Sequence, residues 1–282
     1  MAGTVLKHLL GRAPRRVVPL SGGLSNFVFE AAHPDGALAI RLSPDPGKIK
    51  GYLKEQWAMA QAREHGVPVP EVLEIGTAPI PFPFMVLRKV AGSEATHHPD
   101  RFAVLHEMGR LARLIHGVPT SGFGDTFDWS GNQLSRKESW ADYLAREYQG
   151  EDRLALLQRL GVLPARSLKA LRATWRMVAR WEPEPALNHG DLRLKNVVVG
   201  KDGKVAALLD WEFCLSHAAP YWDLSIALHD LSVDAKEMFL QGYGMAPREA
   251  MEAAPVLRLF NLLNYSAAIE RAGRERDRNT LE

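Results

Sequence analysis

Short apolar runs separated by turn residues recur along the first third of the chain. Residues 16–20, 27–30, 37–42, 71–75 and 82–87 each read as a strand, parted by turns rich in Gly, Pro and Asp. Between the third and fourth of these, residues 48–65 carry Ile49, Leu53, Trp57 and Ala60 at helical spacing, and Gly66 and Pro68 close the segment. From about Val90 the pattern turns helical. Phe102, Leu105, Met108, Leu111, Ala112 and Ile115 form one apolar face that ends at His116-Gly117. Residues 139–148, 151–160, 165–181, 222–230, 235–241 and 247–274 also read as helices. One stretch interrupts them. Val197-Val198-Val199 is a β-branched run, residues 200–203 are a Gly-Lys-Asp-Gly turn, and residues 205–209 read as a returning strand. The pattern predicts an α+β protein in which a sheet with one helix is followed by a mostly helical region carrying one hairpin. The boundary is expected near residues 88–92, giving domains 1–89 and 90–282.

The hairpin is flanked by oxygen-bearing side chains. His189-Gly190-Asp191-Leu192-Arg193-Leu194-Lys195-Asn196 runs into the first strand, and Asp210-Trp211-Glu212 follows the second. Folded symmetrically about Asp202, the hairpin puts Asn196 opposite Leu208. Asp210 then lies two residues away on the diagonal, roughly 7–8 Å at the backbone. Asp191 opens onto the same end. Asp and Asn near strand ends are commonly turn formers and helix caps. The three together, with a hairpin between, match what phosphoryl transfer from a nucleotide requires. One carboxylate receives the proton of an attacking hydroxyl, while an amide oxygen and a second carboxylate hold magnesium against the triphosphate.

His-x-Asp, four residues, Asn, a short hairpin and then Asp resembles the catalytic loop and metal-binding strand of the aminoglycoside phosphotransferase and choline kinase superfamily. The order of strands and helices extends the likeness over most of the chain. The resemblance implies a protein-kinase-like fold in two lobes, with an antiparallel sheet and one helix in the first and mostly helix in the second. It implies Asp191 as catalytic base, Asn196 and Asp210 as ligands of Mg2+, and His189 as a brace beneath the loop. It also implies that the segment between the lobes, with Arg88 and Val90, presents backbone groups to a nucleotide base. Members commonly carry His-Pro-Gly before the Asn, where this chain has Arg193-Leu194-Lys195. Either cation could stand near the transferring phosphoryl group, and a solvated loop lysine is the plainer reading of Lys195.

Ser21-Gly22-Gly23-Leu24-Ser25-Asn26 lies between two strands. Glycine backbone can approach phosphates closely, so Ser21, Gly22, Gly23, Ser25 and Asn26 form a candidate phosphate-covering loop, with a simple hairpin turn as the alternative. Arg41 occupies the third strand where kinase-like enzymes carry a Lys that holds the non-transferred phosphates. Glu55 in the following helix is its natural partner, or else makes a surface salt bridge. Asp223 opens a helix and reads as a cap, or by resemblance as a residue that hydrogen-bonds the catalytic loop. Only thirteen positions separate Asp210 from Asp223. That is short for the activation segment with which a protein kinase docks a peptide, and it points to a small-molecule acceptor.

Composition narrows the picture further. The chain has 282 residues, 46% of them hydrophobic, and a net charge of +2. No basic stripe or motif for nucleic acid stands out, no apolar run is long enough for a membrane span, and Val5, Leu6, Leu9 and Leu10 are cut short by Gly11 before they make a signal peptide. Cys214 is the single cysteine, which suits a reducing, cytoplasmic setting. His97, His98 and Asp100 surround Pro99 and read as a loop rather than a metal site, and Trp129, Trp140, Trp175 and Trp222 read chiefly as packing. The sequence therefore predicts a Mg2+-dependent kinase that moves the γ-phosphoryl of ATP or GTP to a hydroxyl of an antibiotic, sugar, amino alcohol or metabolite. The alternative is a kinase-shaped module that binds nucleotide without turnover. The last helices mix Arg248, Glu249, Glu252, Arg258, Glu270, Arg271 and Arg274, with no acidic excess to attract a polycationic sugar.

Overall fold

The structure is a computed structural model, and it describes residues 1–14, 16–20, 27–34, 36–128, 131, 133–136 and 138–275. In chain order the elements are α1 (Ala2–Leu10), β1 (Val17–Leu20), β2 (Phe27–Ala31), β3 (Leu38–Leu42), α2 (Lys48–Glu64), β4 (Val72–Gly76), β5 (Phe84–Arg88), β6 (Ser93–Glu94) and α3 (Arg101–Ile115). There follow β7 (Phe127–Asp128), β8 (Gln133–Leu134), α4 (Trp140–Tyr143), α5 (Gly150–Arg159), α6 (Ala165–Val178), β9 (Pro185–Asn188), β10 (Val197–Val199) and β11 (Val205–Leu208). The chain ends with β12 (Leu215–Ala218), α7 (Tyr221–Ala227), α8 (Val233–Tyr243) and α9 (Pro247–Glu275). It divides into two compact units, the first comprising residues 1–104 and 194–214 and the second residues 105–193 and 215–282.

In the first unit five strands form an antiparallel sheet in the order β1-β2-β3-β5-β4. β3 alternates strictly: Leu38, Ile40 and Leu42 are buried while Ala39 and Arg41 face the other side. The buried set joins Phe84 and Val86 of β5, and Val5 and Leu6 of α1 cover it. Each of those two α1 side chains contributes about 1.5–3 kcal/mol by leaving water. This helix is not among the elements expected above, although Val5, Leu6, Leu9 and Leu10 stand at helical spacing. The hairpin β10–β11 pairs through β10 with β6, which groups it with the sheet-bearing unit despite its late position in the chain.

The second unit packs α4, α5, α6 and α9 around Trp140, Tyr148, Leu157, Trp175, Phe260 and Leu263. The predicted helix over residues 139–148 is one α-helical turn, capped by Ser139 Oγ, that widens into a π-helical segment over residues 144–148. α3 and α8 cross at glycines: a Cβ on Gly109 would collide with the Phe239 carbonyl, and one on Gly242 with the His106 carbonyl. β9 and β12 pair antiparallel from Leu215 opposite Asn188 to Ala218 opposite Pro185. Among the described residues no helix is long and apolar enough to cross a membrane.

Candidate active site

In the first unit Arg41 projects from the sheet face opposite the core and meets Glu55 of α2, with Nη1 to Oε2 at 2.5 Å. Glu55 is 1% exposed and Arg41 13%. Burial opposes the guanidinium charge, but the Glu55 carboxylate, with Asp210 behind it, holds Arg41 above its ordinary range. The same burial pushes the Glu55 carboxyl up, and Arg41 pulls it back. Among the described residues Glu55 Oε1 has no hydrogen-bond partner. Tyr52 lies under Arg41, its ring centroid 5.4 Å from the guanidinium carbon.

Two more side chains of α2 hold the segment after the hairpin. Lys48 Nζ donates to Glu212 Oε2 at 2.7 Å, and Lys54 Nζ donates to the Cys214 carbonyl at 3.0 Å. Glu212 Oε2 also lies 3.8 Å from Arg41 Nη2. Neither lysine stood out in the sequence, since each pairs with a residue about 160 positions away, at separations of 164 and 160.

The hairpin departs from the symmetric register. Val197 faces Leu208, Val198 faces Ala207, and Val199 faces Val205. Asn196 is therefore not opposite Leu208, because the shift between Val198 and Val199 leaves Ala206 as the additional residue of a β-bulge. Asn196 faces Leu209 instead, whose N–H donates to its carbonyl at 2.7 Å. Asp210 follows directly, at φ 61° and ψ 65°. A left-handed backbone on a non-glycine residue costs of order 1–3 kcal/mol and gathers at functional sites. Asp is among the residues that tolerate it best. Trp211, fully buried, donates its indole N–H to the Leu208 carbonyl at 3.1 Å and anchors the turn.

Several of these residues line one cavity of about 690 Å³, whose wall includes Arg41, Glu55, Arg88, Val90, Asn196 and Asp210. Lys195 and Glu212 border it as well. Ser21, Gly22, Gly23, Ser25 and Asn26 lie outside the described residues, as does Trp129. Leu20 and Val28, on either side of the glycine segment, line the same cavity. Among the described residues no three His, Cys, Asp or Glu side chains gather as a metal cage. Magnesium does not need one, because it is commonly held by one or two carboxylates with water and substrate phosphates. An amide oxygen from Asn196 and a carboxylate from Asp210 in one cavity wall fit that pattern.

The second unit holds the His189-Gly190-Asp191 loop at the end of β9. Asp223 Oδ2 accepts from the His189 N–H and Oδ1 from the Gly190 N–H, each at 2.8 Å. Gly190 takes φ 87°, a conformation that suits glycine. The His189 ring meets the Asp191 N–H through Nδ1 at 3.3 Å. Asp223 makes no cap for its own helix. Its Oδ2 also meets His116 Nε2 at 3.1 Å, and His116 Nδ1 meets the Tyr243 hydroxyl at 3.0 Å. Burial works to raise the Asp223 carboxyl, but His116, His189 and Gly190 together hold it below the usual carboxylate range. Asp191 is 7% exposed. Its Oδ1 lies 2.9 Å from Arg193 Nε, and Arg193 Nη2 donates to the Tyr265 hydroxyl at 2.8 Å. His116, Tyr243 and Tyr265 had no signal in sequence spacing.

The sequence profile of the Phosphotransferase enzyme family matches residues 16–260. The chain belongs to that family. Among solved structures, the aminoglycoside phosphotransferase APH(4)-Ia is similar with TM-score 0.71 at 18% identity, covering 100% of this chain and 95% of that one. The macrolide 2'-phosphotransferase MphH from Brachybacterium faecium gives TM-score 0.68 at 20% identity, covering 100% and 98%. A putative fructosamine-3-kinase from Haemophilus somnus 129PT gives 0.65 at 15%, covering 99% and 95%. At these identities the likeness establishes the fold, the one these phosphotransferases share, with an antiparallel sheet followed by helices. A thermostable mutant of APH(4)-Ia has been solved in ternary complex with AMP-PNP and hygromycin B. A search of curated protein sequences gives no match.

Proposed function

We propose that this phosphotransferase family member is a Mg2+-dependent kinase that moves the γ-phosphoryl of ATP or GTP to a hydroxyl of a small molecule in the cytoplasm. The observation that carries the reading is a cavity of the first unit in which a guanidinium set by a buried carboxylate shares the wall with Asn196 and Asp210. Arg41, positioned by Glu55, grips the non-transferred phosphates, and its fork can bind two oxygens at once. Arg88 and Val90 offer backbone groups to the base, and residues 21–26 cover the phosphates. Asn196 and Asp210 would hold the magnesium, which neutralises phosphate charge when bound. Asp191 accepts the proton of the acceptor hydroxyl. Residues 1–89 then serve the nucleotide, and residues 90–282 supply the catalytic loop and the acceptor contacts.

The complex of APH(4)-Ia with a nucleotide analogue and an aminoglycoside supports a nucleotide and a small-molecule acceptor as the two substrates. The short run from Asp210 to Asp223 supports the same acceptor class. ADP release on a panel of hydroxylated acceptors tests the reading. Turnover is expected with ATP or GTP and magnesium. Asp191→Asn should lower it by about 10²–10⁴-fold, the usual weight of a general base, while nucleotide still raises the melting temperature. Undiminished turnover in that variant removes Asp191 as the base.

A further inference from the structure

A second cavity, of about 640 Å³, lies wholly within the helical unit among α6, α7, α8 and α9. Its walls are largely aliphatic, with Leu163 and Leu171, Leu240 of α8, and Leu257 and Leu262 of α9. Among the described residues Lys236, Arg258 and His229 are its ionisable groups, and no Asp or Glu lines it. Lys236 and Arg258 make no ion pair with any described residue. His229 Nε2 lies 3.4 Å from Asp230 Oδ1 at the rim.

One wall residue, His229, links this cavity to the loop that carries Asp191, while Tyr265, Arg193 and Asp191 stand outside its lining. Tyr265 is one helical turn beyond Asn261 on α9. Its hydroxyl accepts from Arg193, whose Nε is 2.9 Å from Asp191 Oδ1, and its ring packs on His229 with centroids 5.1 Å apart. His229 thus belongs both to the cavity wall and to the chain of contacts that reaches Asp191. Arg258 lies two turns before Tyr265, about 10 Å along the helix axis.

We propose that this cavity receives the body of the phosphoryl acceptor, and that the acceptor is an amphipath with an aliphatic chain, a hydroxyl at one end and an anionic group at the other. The assignment rests on the kinase reading above and gives it a substrate class. Leucine walls favour removing methylenes from water. Two cations in a wall that carries no described carboxylate attract an anion and repel a polycation, which is how a site discriminates by charge. The span from Arg258 to Tyr265 suits a chain that lays its hydroxyl at Asp191 while its anion sits at Lys236 and Arg258.

The test is calorimetric titration of the full chain with dodecanoate, dodecanol and dodecyltrimethylammonium, together with inhibition of turnover by dodecanoate. Dodecanoate is expected to bind more tightly than the neutral alcohol, and the cationic amphipath least. The double variant Lys236→Glu/Arg258→Glu, changed only at the rim so that folding is spared, should weaken dodecanoate by about tenfold and reverse the order. Phosphorylation of ω-hydroxydodecanoate, inhibited by dodecanoate, would support the acceptor assignment. Equal binding of both charge types, no binding, or binding that ignores the charge reversal overturns the proposal. So does turnover on another acceptor that dodecanoate leaves uninhibited. The titration repeated on Asp191→Asn keeps the two readings apart. Dodecanoate bound there, with no turnover by the wild type on any acceptor, would fault the kinase reading and not the cavity.

Discussion

Asp223 and Glu55 are both carboxylates withdrawn from water, and they are satisfied to different degrees. Asp223, at 0% exposure, uses both oxygens: it takes two backbone N–H groups of the His189-Gly190-Asp191 loop and the His116 ring. Glu55, at 1%, gives one oxygen to Arg41 and leaves Oε1 without a partner among the described residues. The electrostatics follow. Hydrogen bonds hold the Asp223 carboxyl below its ordinary range, whereas burial leaves that of Glu55 above it. A saturated buried charge fixes architecture, because every donor it takes would be stranded by its loss. A partly saturated one keeps a cation poised, with capacity left for a ligand. The helical unit thus spends its buried carboxylate on holding Asp191, and the sheet unit spends its own on aiming Arg41.

Substitutions can break this contrast. Asp223→Ala should cost the most, about 3–5 kcal/mol, since it strands two loop N–H groups and His116 in a dry interior. A melting temperature close to wild type would show that the loop does not depend on Asp223. Acid sharpens the same side of the comparison through His217, which lies among Trp140, Tyr143, Tyr148, Trp222 and Phe260. Burial pushes its imidazole down to about 4 from an ordinary 6.5. The folded state therefore resists a proton that the unfolded chain accepts. The stability conferred by neutral His217 is complete above pH 6.5 and is lost as pH falls through 4. The loss amounts to about 3 kcal/mol, and denaturant titrations across that window should show it. His217→Phe should flatten the slope, and an unchanged slope would assign it to other groups.

Arg41→Met should destabilise by about 2–3 kcal/mol, less than Asp223→Ala, because the stranded Glu55 can relieve itself by taking up a proton. Adding Glu55→Gln should restore most of that stability without restoring nucleotide affinity. A double variant no more stable than the single would mean that the pair is not the unit of cost. Lys48→Ala should have the smallest effect. Its pair with Glu212 is 19% and 13% exposed, so about 1 kcal/mol is expected, with a modest loss of nucleotide affinity from a less tightly held Asp210 turn.

The elements that were legible in the sequence are those whose pattern is local. β3 shows its buried and open faces by alternation, and the hairpin shows itself by three valines and a Gly-Lys-Asp-Gly turn. α2 shows its extent but not its face: it buries Tyr52, Glu55, Ala58, Met59 and Ala62, while Ile49, Leu53 and Trp57 are only half-buried and Ala60 is exposed. The one-residue error at Asn196 came from a bulge, which leaves the composition of a hairpin unchanged while altering its register. β9 and β12 were missed because Pro-Ala-Leu-Asn and Leu-Ser-His-Ala are too short to show a period, and each is completed only by its distant partner. The same limit applies to side chains. Arg41 and Glu55 are fourteen positions apart on consecutive elements and could be paired by eye. His116 and Tyr243 are 127 positions apart, and only the crossing of α3 and α8 at Gly109 and Gly242 brings them together.

Calorimetric titration of ATP into the wild type, Asp210→Asn and Asp191→Asn, each with and without magnesium, tests the central claim most directly. Magnesium should tighten ATP binding in the wild type and in Asp191→Asn, and the enhancement should disappear in Asp210→Asn. An undiminished magnesium effect in Asp210→Asn would contradict the account.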